Sequence, residues 1–411
     1  MYRRMGTAAL ILVLLMSAWA SAAEVSGELQ VGTVYELEEA ITELPIRLKL
    51  ALEDNPIGNG KFYLSLKGLF DPLSGESEQF RLNLDEAYMA VYLDDVDLIV
   101  GRHVISWGTV DGFNPTNYFA RLSEETLLKG SLRGEPAVGV QAAYYNPNWS
   151  VTGVVLPVFV PQELSGRMRE AFVNEPMGVQ LLAAIDDAER PKPSLTNMEF
   201  GLRAETFLHG WDLQLSGYYG FESLPGITVD FTFDPVEMLP VLVFEGKYRR
   251  QWYVGAAAAG FLGDLGIKAE AAYGGPIPFE EGVVTISQNE PAWKGVVGAE
   301  YMLPAGNGVL VQGQYIYEGS GGLFTPYHEP MVEPEPGHYL VGRISYNFTL
   351  ENSVELAALY SLLDRNAVLM PGFKYRLPQG LEIQGSLLKT VGEGELELVP
   401  DQVRLAVTYR F

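Results

Sequence analysis

The chain has 411 residues and no cysteine, so neither a disulfide framework nor thiol chemistry is open to it. It carries 28 Lys and Arg against 52 Asp and Glu, a formal charge of −24, which argues against nucleic acid as a partner. Hydrophobic residues make up 47% of the chain, yet no run approaches the ~18 apolar residues that a membrane-crossing helix needs.

The N-terminus reads as a secretory signal over residues 1–23. Arg3 and Arg4 form a basic start, Ala8 to Trp19 an apolar stretch, and Ala20-Ser21-Ala22 or Ser21-Ala22-Ala23 a small-residue cleavage site. No Cys follows that site, so a lipid-anchored product is not expected. Residues 24–411 are expected to form one domain.

From about Val25 onward the chain alternates apolar and polar residues with period two. Leu44, Ile46, Leu48, Leu50 and Leu52 alternate with Pro45, Arg47, Lys49 and Ala51. Phe200, Leu202 and Ala204 alternate with Gly201, Arg203 and Glu205. Leu265, Ile267, Ala269, Ala271 and Tyr273 alternate with Lys268 and Glu270. The same pattern sets Arg343 and Glu355 opposite to Leu340, Ile344, Leu356 and Ala358. Strands with one apolar and one charged face fit a wall between lipid and water.

The connections alternate between short, such as His209-Gly210 and Gly263-Asp264, and long, at roughly 159–194, 222–240, 276–291, 320–337 and 392–400. This is the pattern of short periplasmic turns and long extracellular loops. The expected fold is all-β, a transmembrane antiparallel up-and-down β-barrel of about 18 strands, with 16 the nearest alternative. Both termini then lie in the periplasm, and the compartment is the cell outer membrane.

The inward face is expected to carry Arg47, Lys49, Lys67, Arg203, Lys268, Lys294, Arg343, Lys374, Arg376, Arg404 and Arg410. It is also expected to carry Glu28, Glu36, Glu199, Glu205, Asp212, Glu270, Glu300, Glu355 and Glu382. The acid excess therefore falls on loops, where it serves solubility or an anionic rim. A mixed-charge lumen is what a diffusion channel carries; a structural ion-pair network in a filled barrel would look the same.

The least ordinary segment is Val100-Gly101-Arg102-His103-Val104-Ile105-Ser106-Trp107-Gly108, followed by Asp111-Gly112-Phe113-Asn114-Pro115. This Gly-Arg-x-x-x-Ser-Trp-Gly…Asn-Pro arrangement resembles a family of uncharacterised Gram-negative outer-membrane β-barrels. The resemblance is specific over residues 85–120, and His103 departs from the amide that the pattern carries there. It implies a porin-like barrel for uptake or efflux of organic solutes. By position, the connection after this strand could fold into the lumen, with Arg102, Arg121, Lys129 and Arg133 as candidates for an electropositive constriction. The bland reading is that Trp107 and Asn114-Pro115 only fix a turn. Farther on, Val179 to Arg190 reads as a short amphipathic helix inside a loop.

The chain ends Val403-Arg404-Leu405-Ala406-Val407-Thr408-Tyr409-Arg410-Phe411. A last strand closing on aromatic Tyr409 and Phe411 looks like the signal by which barrels are recognised by their assembly machinery. No G-x-S-x-G elbow, H-E-x-x-H pair or clustered Cys/His site occurs, so no catalysis and no cofactor or metal is expected. The expected function is a porin-like channel passing small or organic solutes, with outer-membrane lipid as its surroundings. A barrel closed by its own loops and acting in envelope assembly is the alternative, and a lipid-modifying barrel enzyme a more remote one. The oligomeric state is not legible.

Overall fold

A computed structural model describes residues 23–411 except 38–39, 56–57, 76–78, 121–133, 163, 165–168, 170–171, 174–176, 234–239, 282 and 329–331. The expected signal segment falls almost wholly outside the described residues. The strands begin with β1 (Glu24–Glu36), β2 (Ile41–Glu43), β3 (Ile46–Asp54), β4 (Gly60–Phe70), β5 (Phe80–Tyr92) and β6 (Val96–His103). After a long connection come β7 (Ala137–Asn146), β8 (Trp149–Leu156), helix α1 (Gly178–Asp187), β9 (Glu199–Leu208) and β10 (Trp211–Phe221). Then follow β11 (Gly226–Phe233), β12 (Pro240–Lys247), β13 (Arg250–Leu262), β14 (Leu265–Pro276), β15 (Ala292–Leu303) and β16 (Val309–Glu318). The last are β17 (Gly337–Asn347), β18 (Ser353–Ser361), β19 (Ala367–Arg376), β20 (Leu381–Val391) and β21 (Gln402–Arg410).

Setting aside the three-residue β2 and the separate β11–β12 hairpin, eighteen antiparallel strands follow one another around a ring. The ring closes where β1 pairs β21, from Glu28 opposite Arg410 to Glu36 opposite Gln402. Closure leaves no open edge, which is why a sheet can stand in hydrocarbon. The expected count of 18 is the observed one.

Pairing keeps each face in register around the wall. Leu64, Ala87, Arg102 and Val138 share one face, as do Leu215 with Ala256 and Val407 with Ile383. That face is the outside: Leu82, Leu202, Leu215, Val254 and Ile344 are all at least half exposed there. An apolar belt of this extent is costly against water and at home against lipid. Aromatic side chains gather at its margins, with Trp252, Tyr273 and Trp293 in ring contact near one rim and Tyr144 against Trp149 near the other.

One rim carries tight turns. His209 (φ 53) and Gly210 (φ 86) both adopt left-handed backbone, as a two-residue hairpin turn requires. The other rim carries the long connections, and the stretch after β10 is more than the plain loop its composition suggested. Residues 226–233 and 240–247 pair as a hairpin, and Val229 and Ile286 extend it by backbone bonds to Val284 and Ile227. The expected loop helix is α1, and it packs on this sheet. Leu181, Leu182, Ala184 and Ile185 join Ile227, Val229 and Ile286 in a buried cluster. Arg249 clamps the base of this cap with two bonds of 2.7 Å to Glu222, one of 2.6 Å to the Gln288 carbonyl and one of 2.9 Å to Asn289.

Candidate pore constriction

The strand β6 ends at His103, and the chain then leaves the wall for the lumen. Gly101 (φ 131) lies within the ladder two residues before this exit, where a side chain would strike the Ala87 carbonyl. The segment 104–120 has no regular secondary structure, so its conformation rests on side-chain bonds. The Trp107 amide donates to Asn117 Oδ1 at 3.1 Å, and Asn114 Nδ2 donates back to the Trp107 carbonyl at 2.8 Å. Gly108 (φ 94) lies so close to Asn114 that a Cβ would overlap its amide. The Ser-Trp-Gly and Asn-Pro elements therefore fold onto each other.

The folded segment fills one side of the bore. Ile105, Trp107 and Phe119 pack with Val154, Leu156 and Tyr218 on the inner faces of β8 and β10. The wall is cut back to receive them: a Cβ on Gly201 would lie 2.5 Å from Phe119 and 2.7 Å from Trp107. Tyr118 stacks between Tyr218 and Tyr253, each 5.6 Å away.

Glu270 of β14 holds the turn of the segment. Its carboxylate accepts from the amides of Thr109, Val110 (2.8 Å) and Thr116 (3.4 Å) and from the hydroxyls of Thr116 (2.7 Å) and Thr109 (3.2 Å). It is 3% exposed, and donors on both oxygens replace its lost hydration. Beside it, Lys268 Nζ bonds Asp111 at 2.9 Å and lies 3.3 Å from Glu300. Gln314 of β16 donates to the Asp111 carbonyl at 2.7 Å. That strand stands eight places around the eighteen-strand ring from β6, so the segment crosses the lumen. Beyond the crossing, Val110 joins Ile316, Tyr339, Leu388, Leu396 and Val399 in a second buried cluster.

The expected inward residues are distributed as follows. Arg203 lies on the inner face, 5.5 Å from the Trp107 ring and 3.0 Å from Glu205. Arg343 and Glu355 pair at 2.6 Å. Glu382, fully buried, gathers Lys374 (3.3 Å), Arg376 (2.7 Å) and Arg410 (3.1 Å). Lys49 and Lys67 face Asp85 at 3.4 and 2.8 Å. Arg404 lies opposite Ser386 and Val34 on the same inner face.

The four constriction candidates fare differently. Arg102 is not at the constriction: it shares the outer face of Val100 and Val138, and its Nε donates to the Asp85 carbonyl at 2.9 Å. The strand runs in regular register through Gly101, so Arg102 keeps the outward parity of Val100 and His103 takes the inward one. Arg121, Lys129 and Arg133 lie outside the described residues. Glu270, by contrast, stands out in the sequence only as one inward charge among many. Two residues in contact across 160 positions leave no local signal. No group of three His, Asp or Glu placed to hold a metal occurs among the described residues.

No family model matches the chain, and no curated protein does. Solved structures do. OccD3 (OpdP) of Pseudomonas aeruginosa aligns with a TM-score of 0.55 at 11% identity, over 95% of this chain and 91% of its own. OccAB3 of Acinetobacter baumannii aligns at 0.54 and 11%, over 95% and 99%. OccK2 (OpdF) of Pseudomonas aeruginosa, solved in complex with glucuronate, aligns at 0.54 and 14%, over 95% and 96%. At such identities the likeness establishes a common fold, the eighteen-strand antiparallel barrel.

Proposed function

We propose that the protein is a porin-like outer-membrane channel that passes small or organic solutes passively through a mixed-charge lumen narrowed by segment 104–120. The observation that carries this reading is the crossing of the bore by that segment, tied by Glu270, Lys268 and Gln314 to the far wall. A barrel meant only as an anchor has no use for a buried carboxylate that shapes an internal strut. The apolar outer belt supports residence in a bilayer, and the long-loop rim is its extracellular side. The glucuronate held in the OccK2 complex supports organic solutes as cargo. Kinship with the barrels carrying the Gly-Arg-x-x-x-Ser-Trp-Gly…Asn-Pro segment belongs to the same reading.

Charge is spread unevenly inside. Arg47, Lys49, Lys67, Lys374, Arg376, Arg404 and Arg410 outnumber the acids beside them, such as Glu382, on β3, β4 and β19–β21, while Glu199, Glu205, Asp212, Glu270, Glu300 and Glu318 outnumber Arg203, Lys268 and Lys294 on the barrel strands among β9–β16. A solute would pass between these walls and be sorted by its charge. One observation favours the alternative, a closed envelope barrel: two apolar clusters occupy the bore on either side of the segment.

Single-channel recording of the refolded protein in a planar bilayer under a salt gradient separates the two. Stable conductance steps support the channel, and the sign of the reversal potential reports which wall dominates. A folded barrel without conductance rejects it.

A further inference from the structure

Charge is sparse on the outer face of the barrel strands, and its sign differs between the rims. Arg102 on β6, Arg250 on β13 and Lys389 on β20 share the outward parity of Val138, Phe221 and Leu369 and stand near the long-loop ends of their strands. Asp54, with that parity beside Phe62, closes β3 at the short-turn end. The outward charges at the long-loop rim are thus basic in a chain with 52 Asp and Glu against 28 Lys and Arg. Lys389 is neutralised by Asp401. Arg250 pairs with no carboxylate among the described residues. Its Nη1 donates to the Met198 carbonyl at 2.9 Å and its Nη2 to that of Thr196. Its guanidinium lies 3.8 Å from the Phe221 ring centre and 5.0 Å from that of Tyr219. These contacts fix the group without cancelling its charge, and further N–H donors remain. The connection that holds it also carries Arg190 and Lys192, both exposed, and neither has an ion pair among the described residues. Asn197 Nδ2 ties the turn back to the Lys192 carbonyl at 2.9 Å. Leu195, 81% exposed, stands on the same turn, and Ile277, whose amide donates to the Arg250 carbonyl at 2.6 Å, is 47% exposed.

We propose that Arg250, Arg190 and Lys192 form a seat on the outer surface of the barrel for the phosphate groups of the phosphorylated glycolipid of the outer leaflet. The inference rests on the outer-membrane reading, with the long-loop rim outside. Trp252, the next outward residue of β13, joins Tyr273 and Trp293 in the aromatic margin, and such rings sit at headgroup depth. A guanidinium held there without a carboxylate leaves its demand for an anion unmet. Phosphate oxygens meet it with parallel charge-assisted bonds, and Arg250 is already fixed, so little order is lost on binding. Arg190 and Lys192 add positive charge above it, against Glu189 as the one acid of residues 188–198. Leu195 and Ile277 supply apolar surface beside the cations, which suits a lipid and not a soluble anion. The acid excess elsewhere repels phosphate, so this patch is a local exception on the rim.

Binding of fluorescent lipopolysaccharide, trimmed to its phosphorylated lipid anchor and inner sugars, to the full refolded barrel in detergent tests the seat. Arg250→Gln should weaken it about ten-fold or more, the worth of a charge-assisted hydrogen bond. That change also gives up two bonds to carbonyls, so Arg190→Gln with Lys192→Gln, on exposed side chains, is the second variant. It should weaken binding several-fold in a barrel that keeps its heat-resistant electrophoretic mobility. Arg365→Gln, at an exposed base on the turn between β18 and β19, should leave binding unchanged. The same anchor stripped of phosphate should bind wild type and variants equally weakly. Equal binding of the stripped anchor, indifference to both site variants, or an equal loss at Arg365→Gln overturns the seat. Displacement of the anchor by millimolar inorganic phosphate assigns the cations to a free anion and overturns it too. Orientation is read separately: Ala183→Cys, exposed on α1 in a chain without other cysteines, should be labelled in intact cells by a membrane-impermeant maleimide. Labelling without phosphate-dependent binding overturns the seat alone. Absence of labelling overturns the orientation on which it rests, and the seat with it.

Discussion

The Glu270 carboxylate accepts the Val110 amide at 2.8 Å, joining a strand of the wall to a segment 160 residues earlier in the chain. The same group takes the Thr116 hydroxyl at 2.7 Å, so one side chain holds both limbs of the turn that crosses the bore.

Replacing it should loosen the crossing without unmaking the barrel. Glu270→Gln keeps the volume but faces an amide group toward donors, at a cost of about 1–3 kcal/mol. The urea midpoint of the folded barrel should fall accordingly, and single-channel current should become larger and noisier. Unchanged current would mean that the segment does not set the bore.

The wall charges can be tested at Lys67, which is half exposed to the lumen and 2.8 Å from Asp85. Lys67→Glu replaces a cation with an anion and leaves buried Asp85 with Lys49 alone. The cation-to-anion permeability ratio from the reversal potential should rise roughly two-fold, more at low salt because screening weakens. A ratio that stays put would place the ion path away from β3–β5.

Arg249 ties the cap to its base. Arg249→Ala leaves Glu222 buried without its partner, and loss of one member of such a pair costs about 3–5 kcal/mol. The expected result is rapid proteolytic cutting within residues 157–198 and 222–249, while the barrel keeps its heat-resistant electrophoretic mobility. Equal cutting of variant and wild type would show that the apolar cluster around Ile227 holds the cap unaided.

Phe411 exchanges backbone bonds with Gly27, 2.7 Å in one direction and 3.0 Å in the other, and its ring lies over the bare Gly27 Cα. If Tyr409 and Phe411 also form the signal read by the assembly machinery, deleting Phe411 should cut the yield of assembled barrel in cells by far more than it cuts refolding from urea. Equal losses in both would assign the residue to closure of the ring alone.

Period-two alternation was enough to determine the barrel and the inward placement of residues such as Arg203, Lys268, Glu355 and Arg404, whereas the connections left the strand number at about 18 with 16 open, and closure of the ring decided it. In a closed sheet each side chain's face follows from parity along its own strand, and lipid outside makes the parity visible in the residues themselves. The Ser-Trp-Gly and Asn-Pro elements could be recognised as unusual for the same reason: their bonds, Trp107 to Asn114 and Asn117, span only a few residues. Arg102 shows where local reading stops. Its chemistry suited a constriction, and its parity follows that of Val100 only if no bulge intervenes at Gly101, which the regular pairing with Ala87 and Val138 decided. The anchors of the crossing segment, Glu270, Lys268 and Gln314, depend on how far the ring curves before strands meet across it. That distance is set by closure of all eighteen strands, and no stretch of sequence carries it.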